Sequence, residues 1–258
     1  MSGTRSASTK APATEARLNG AALVVCSYGS GDRALHGRLQ ALGGRSGFRE
    51  TVAATLFGTP RIEEVVATVH GSPIVVVPLF MAKGVTYEAL RDRLAGLSCS
   101  DRIVLCPELG SHPGLAPSVA AYGWRELQRL GWRAEETGLL LVGHGSRRHP
   151  ASGRATARLA SEIGNLALFA DTAAAFLEEQ PTVQEALHSC ATERVLAIGC
   201  FAEAGKHATR DVPRGLLESG RTAAYSGPIG ACDWIDALVL DQAAEGLRRN
   251  PRHDGLGV

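Results

Sequence analysis

Short apolar runs punctuate this chain at intervals, and few of them alternate with polar residues. They cover residues 22–26, 52–57, 74–80 and 103–106, and then residues 139–142, 173–177, 195–200 and 223–226. Unbroken apolar runs of this length suit strands covered on both faces. Amphipathic stretches lie between them. The stretch 61–69 predicts a helix, with Pro60 placed in its first turn. Strand and helix in strict alternation predict an α/β protein built on parallel, doubly wound sheets.

The pattern occurs twice. With the chain displaced by 121 positions against itself, Phe48 falls on Phe169, Thr51 on Thr172, Leu56 on Leu177, Pro60 on Pro181, Glu64 on Glu185, Phe80 on Phe201 and Gly84 on Gly205. A displacement of 116 lays Tyr28-Gly29-Ser30 on His144-Gly145-Ser146, and one of 120 lays Gly110 on Gly230. Self-similarity over this length predicts a tandem duplication. The expected units are residues 19–131 and 138–248, with a linker at 131–137, an unstructured tail at 1–18 and a second tail at 249–258.

Ligands of open parallel sheets bind beyond the carboxyl ends of the strands, where the strand order reverses. For a flavodoxin-like order, the loops after strands one and three of each copy are the ones that matter. In the second copy these loops carry His144 and His207. The two strands would be neighbours about 4.8 Å apart, so the imidazoles could converge. The first copy has Tyr28 and Thr86 in the equivalent places. One copy is therefore equipped for chemistry and the other serves as scaffold and wall.

Composition narrows the alternatives. The 258 residues include 27 Lys and Arg against 26 Asp and Glu, a formal net charge of +1. Such a balance supplies no global field for a polyanion, so nucleic acid is not an expected partner. No apolar run approaches the roughly 18–20 residues that cross a bilayer, so neither is a membrane. Residues 1–18 lack the apolar core of a secretory signal. The six cysteines include no C-x-x-C pair, which suggests reduced thiols in a cytoplasm rather than a zinc or redox site. Gly29-Ser30-Gly31 and Gly143-His144-Gly145 complete neither a dinucleotide fingerprint nor a P-loop, so no nucleotide is expected. The Gly-His-Gly-Ser string also lacks a serine-hydrolase elbow.

The loop VGHGSR after strand one of the second copy, the pattern G-x-H-x-x-x-D-V-P from Gly205 to Pro213, and Leu109-Gly110-Ser111-His112-Pro113 carry a resemblance. Together they resemble the CbiX-type sirohydrochlorin chelatases, relatives of the ATP-independent cobaltochelatases and ferrochelatases. The resemblance implies two tandem flavodoxin-like, Rossmann-like three-layer domains with a cleft between them. It implies a lyase that inserts Co2+ or Fe2+ into sirohydrochlorin on the way to cobalamin or siroheme. No tightly bound cofactor is implied: the metal and the small-molecule tetrapyrrole are both substrates.

By position, the resemblance makes His144 and His207 the catalytic pair. Glu203 is either a solvated carboxylate or a third metal ligand beside them. Many two-domain members keep the histidine pair in the amino-terminal half, where this chain has Tyr28 and Thr86. Removing two pyrrole protons while holding a divalent cation suits imidazole, whose ordinary pKa of about 6.5 leaves it a base and a nitrogen ligand at neutral pH. The substrate carries carboxylates around its rim, which Arg and Lys would meet. The candidates are Ser146, Arg147, Arg148, Lys206 and Arg210 near the histidines, and Arg33 and Lys83 across the cleft. His112 is either structural or a further substrate contact. The metal, and the choice between monomer and homodimer, stay open. So do the rival readings of a chelatase for a less carboxylated ring, a nickel chelatase, or a non-catalytic carrier.

Overall fold

The computed structural model describes residues 18–29, 33–146 and 149–250, with Arg33 described by its backbone alone. Two four-stranded parallel sheets form its frame. The first contains β1 (Ala22–Ser27), β2 (Glu50–Thr55), β3 (Ile74–Pro78) and β4 (Ile103–Leu105), in the order β2-β1-β3-β4. The second contains β5 (Thr137–Gly143), β6 (Asp171–Phe176), β7 (Arg194–Gly199) and β8 (Thr222–Pro228), in the order β6-β5-β7-β8. Each apolar run of the sequence is a strand. The order reverses beside the first strand of each sheet, as the flavodoxin-like expectation requires.

Helices α1 (Arg33–Ser46), α2 (Ile62–Thr68), α3 (Val85–Ala95) and α4 (Leu115–Leu130) follow the strands of the first copy. Helices α5 (Ala151–Gly164), α6 (Val183–Ser189), α7 (Val212–Glu218) and α8 (Ile235–Arg249) follow those of the second. Burial on both faces explains the unbroken runs. In β1, Val24 and Cys26 belong to one apolar cluster with Ile62, Val66 and Leu90, while Leu23 and Val25 belong to another.

That second cluster is shared between the copies. It joins Leu23, Val25 and Val75 with Leu139, Leu141 and Ile198, and with residues of α4 and α8. The last helix of each copy leaves its own sheet and closes the other. Gly123 of α4 lies against Phe169, Ile198 and Leu139, and the Tyr122 hydroxyl of the same helix donates to the Ser226 carbonyl at 2.8 Å. In return, Gly246 of α8 lies against Cys106 and Val104, and the Gln242 amide donates to the Pro107 carbonyl at 3.2 Å. Arg38 of α1 pairs with Asp236 of α8 at 3.1 Å. The unit repeated in sequence is therefore not the unit that packs in space.

Pro60 does not occupy the first helical turn. Its carbonyl accepts both the amide and the hydroxyl of Thr55, at 2.8 and 2.9 Å, so it ends the preceding loop. Arg61 is the N-cap, and α2 starts at Ile62. The repeated glutamates do the capping. Glu64 accepts the Arg61 amide at 3.2 Å and Glu185 accepts the Thr182 amide at 2.7 Å, each filling an otherwise unmet donor at a helix start.

Leu18, assigned above to a tail, packs on the shared core, and Arg249 is the last residue of α8. Thr137, assigned to a linker, opens β5. Among the described residues, no helix is long and apolar enough to cross a membrane.

Candidate active site

Strand β5 ends at Gly143, and three consecutive loops meet at that end. Because β5 lies between β6 and β7, the loop after β5 is flanked by the loops after both neighbours. On one side Leu177 donates to the Gly143 carbonyl at 3.2 Å and Glu178 to the His144 carbonyl at 3.0 Å. On the other, Cys200 donates to the Val142 carbonyl at 2.8 Å. Gly145 turns with φ +70°, and the space a side chain would need there is filled by Glu179. Glu179 also accepts the Ser146 amide at 3.0 Å. The loop is thus clamped from below.

His144 and His207 converge, as the strand-end argument requires. Their rings meet edge to face with centroids 4.6 Å apart and planes at 85°. His207 opens a single π-helical turn, His207–Asp211, ahead of α7; such turns recur at functional sites. The turn brings the Asp211 carboxylate 2.9 Å from Nδ1 of His207. Nδ1 of His144 lies 2.8 Å from the Gly145 carbonyl. A carbonyl and a carboxylate can only accept, so each neutral ring carries its proton on Nδ1 and its lone pair on Nε2. Both rings are half exposed, with Nε2 left for an electrophile. Nε2 of His144 is 3.7 Å from the Glu178 carboxylate. Two imidazole lone pairs in one open place, with a carboxylate near that of His144, suit a proton or a weakly held cation.

The other candidates divide. Glu203 is buried rather than solvated, and one of its oxygens accepts the Gly29 amide at 2.8 Å. Among the described residues, no three of His, Cys, Asp and Glu are grouped so as to hold a metal ion, so Glu203 does not complete a ligand set with the histidines. It is a strut between the copies. His112 is also structural. Its Nδ1 accepts the Gly114 amide at 3.0 Å and its Nε2 lies 3.1 Å from Asp241 of α8. Buried, with both nitrogens engaged, it has none to offer a substrate.

Ser146 holds the turn, its hydroxyl accepting the His149 amide at 3.1 Å. Arg210 is exposed and bonds Asp211 at 2.9 Å. That contact first, and His207 second, hold the Asp211 carboxyl below its usual range. Lys206 is exposed beside His207. Lys83 is exposed too, its ammonium 5.7 Å from the Tyr87 ring. Arg147 and Arg148 lie outside the described residues, as does the side chain of Arg33.

Sequence reasoning aimed at strands one and three passes over the loop after strand two, and so misses Glu178. A signal for it exists. Leu177 and Pro181 repeat Leu56 and Pro60, while between them Glu178-Glu179 replaces Phe57-Gly58. The motif reading likewise gives Asp211 no role.

The model of the family described as CbiX matches residues 22–121 and again 138–246. This chain belongs to the CbiX family. Among similar proteins, a Halobacterium salinarum protein named "Probable sirohydrochlorin cobaltochelatase" is 23% identical over an alignment of 223 positions that covers 72% of this chain and 76% of that one. The sirohydrochlorin cobaltochelatase of Methanosarcina barkeri is 30% identical over an alignment of 129 positions that covers 44% of this chain and 98% of the relative. Among solved structures, CbiX described as the terminal enzyme for biosynthesis of siroheme in denitrifying bacteria superposes with a TM-score of 0.68 at 25% identity, covering 88% of this chain and 98% of that one. SirB from Bacillus subtilis subspecies spizizenii, in complex with cobalt, superposes with a TM-score of 0.66 at 14% identity, covering 90% and 97%. The CbiX model thus falls on both copies, including the one that lacks the His144 and His207 pair.

Proposed function

We propose that this CbiX-family protein is a sirohydrochlorin chelatase, a lyase that inserts Co2+ or Fe2+ without ATP, in cobalamin or siroheme biosynthesis. The observation that carries the reading is the pairing of His144 and His207 with both Nδ1 atoms bonded to acceptors, leaving two Nε2 lone pairs, that of His144 beside Glu178. The functions named for the relatives, sirohydrochlorin cobaltochelatase and siroheme biosynthesis, support the choice of ring and of metals.

The chemistry follows from those groups. Metal and ring are substrates, so the site must hold a cation briefly and release it. Two imidazoles make a weak site for a borderline divalent ion, which suits delivery rather than storage. As the metal enters, two pyrrole protons must leave. Nε2 of one histidine and the Glu178 carboxylate are acceptors within the same centre, and a positioned base of this kind contributes about 10²–10⁴ in rate. Asp211 keeps the His207 proton on Nδ1 and stabilises the imidazolium formed when Nε2 takes another. Lys206 and Arg210 offer positive charge to rim carboxylates.

The test is to mix purified protein, sirohydrochlorin and either Co2+, Fe2+ or Ni2+ in the absence of oxygen and ATP, and to follow the visible spectrum. Metal insertion is expected with Co2+ or Fe2+, and His144→Ala and His207→Ala should each slow it at least about 100-fold. Full activity in either variant would overturn the assignment. Tight binding without turnover would make the protein a carrier instead.

A further inference from the structure

The first copy carries no imidazole pair, yet its strand ends are not blank. Phe57 donates its amide to the Tyr28 carbonyl at 3.0 Å, as Glu178 does to the His144 carbonyl at 3.0 Å. Leu56 donates to the Ser27 carbonyl as Leu177 does to that of Gly143. Tyr28 and Phe57 therefore stand in the first sheet where His144 and Glu178 stand in the second. Two aromatic rings stand in the first copy where the second has a polar pair.

These rings are left open. Tyr28 is 52% exposed and Phe57 49%, with centroids 5.0 Å apart and planes tilted by 56°. Isolated surface apolar residues need no explanation, but two adjoining half-exposed aromatics at a strand-end switch point do. The patch is backed by a fixed charge. The Arg93 guanidinium sits 4.9 Å from the Phe57 ring and is held by the Leu56 carbonyl at 2.6 Å and Glu63 at 3.2 Å. The patch is also tied to the loop that carries His207. Gly29, next to Tyr28, donates to Glu203 in the loop that continues to His207. Two side chains are far too few for a stable protein interface, which needs about 1,200 Å². Tilted at 56°, they can meet a small, flat, conjugated ligand together, one ring by its face and the other by its edge.

We propose that Tyr28 and Phe57 are the stacking platform for the conjugated macrocycle, so that the first copy grips the ring while the second handles metal and protons. This rests on the chelatase reading of the His144 centre. Aromatic rings attract a planar π-system by offset stacking or by edge-to-face contact and exclude water from it. Phe57 has no lone pair, and a neutral phenol is a poorer ligand for a borderline divalent cation than imidazole, so the pair holds the ring without drawing the metal away from Nε2 of His144 and His207.

The experiment separates ring binding from metal binding. Tyr28→Ala, Phe57→Ala, the double variant and Tyr28→Phe are titrated with metal-free sirohydrochlorin, followed by absorbance, and separately with Co2+ alone. The double variant should weaken ring binding about tenfold and raise KM more than it lowers kcat, Tyr28→Phe should stay within about twofold of the wild type, and Co2+ binding should not change. The side chains are exposed, and an unchanged thermal midpoint verifies that the variants fold. Unchanged ring affinity in the double variant overturns the platform. A parallel titration with coproporphyrin keeps the two readings apart. If the wild type ignores sirohydrochlorin but binds coproporphyrin, and the double variant loses that binding, the platform stands and the choice of substrate falls. If the wild type binds neither ring, both fall.

Discussion

The backbone amide of Gly29 donates to a carboxylate oxygen of Glu203 across 2.8 Å, although 174 residues separate them in the chain. The bond ties the loop after β1 to the loop that leads into His207. Glu203→Ala leaves that part-buried amide without its acceptor, a loss of about 1–3 kcal/mol. Glu203→Gln keeps an oxygen in place and should cost less. Urea unfolding measures both, and an alanine variant as stable as the wild type would remove the strut from the account.

Gly110 and Gly230 repeat each other in sequence because the chain passes so close to itself at both points. Each donates its amide to the strand-three loop, to Phe80 and Phe201 respectively, at 2.9 Å. A Cβ would fall 1.9 Å from the Met81 carbonyl oxygen in one case and 2.0 Å from that of Ala202 in the other. Backbone cannot yield as a side-chain tip can. Gly110→Ala and Gly230→Ala should each destabilise by at least about 1–3 kcal/mol. Gly37, inside α1 with nothing within 4 Å, supplies the contrast: Gly37→Ala should stabilise by up to about 1 kcal/mol. Equal effects at the three sites would sink the close-approach argument.

All six cysteines are free thiols, and burial makes four of them sensitive to alkali. Burial pushes the Cys106 and Cys200 thiols up to about 12, and it raises Cys26 and Cys232 as well. In the unfolded chain these thiols ionise near the ordinary value of 9.0, so above that pH the unfolded state binds fewer protons than the folded one. Stability is therefore whole below about pH 9 and falls between 9 and 12, by up to about 1.4 kcal/mol per pH unit for each thiol. Unfolding free energies in reductant from pH 7 to 10 should show the decline. Cys200→Ala should flatten it, and an undiminished slope in that variant would deny this thiol a part.

The strands and the duplication were legible because two-sided burial writes itself into sequence as unbroken apolar runs, and each run had a counterpart to check it. The meeting of His144 and His207 followed from strand order alone. The exchange of α4 and α8 was not legible, since an amphipathic helix does not record which sheet its apolar face covers. The places of His112 and Glu203, left open by the sequence, were illegible for a related reason. Their partners, Asp241 and Gly29, are 129 and 174 residues away, beyond any local pattern. Glu178 escaped because it departs from its repeat partner Phe57, and a search for likeness passes over the positions that changed.

The crossed helices bear on how such a duplication can age. With α4 closing the second core and α8 the first, neither copy can be discarded without opening the other. A half without the histidine pair is thus held in place by its neighbour's folding, whatever its own chemistry. Its strand ends stay fixed against the second copy, through the bond from Gly29 to Glu203, without any need to handle metal themselves.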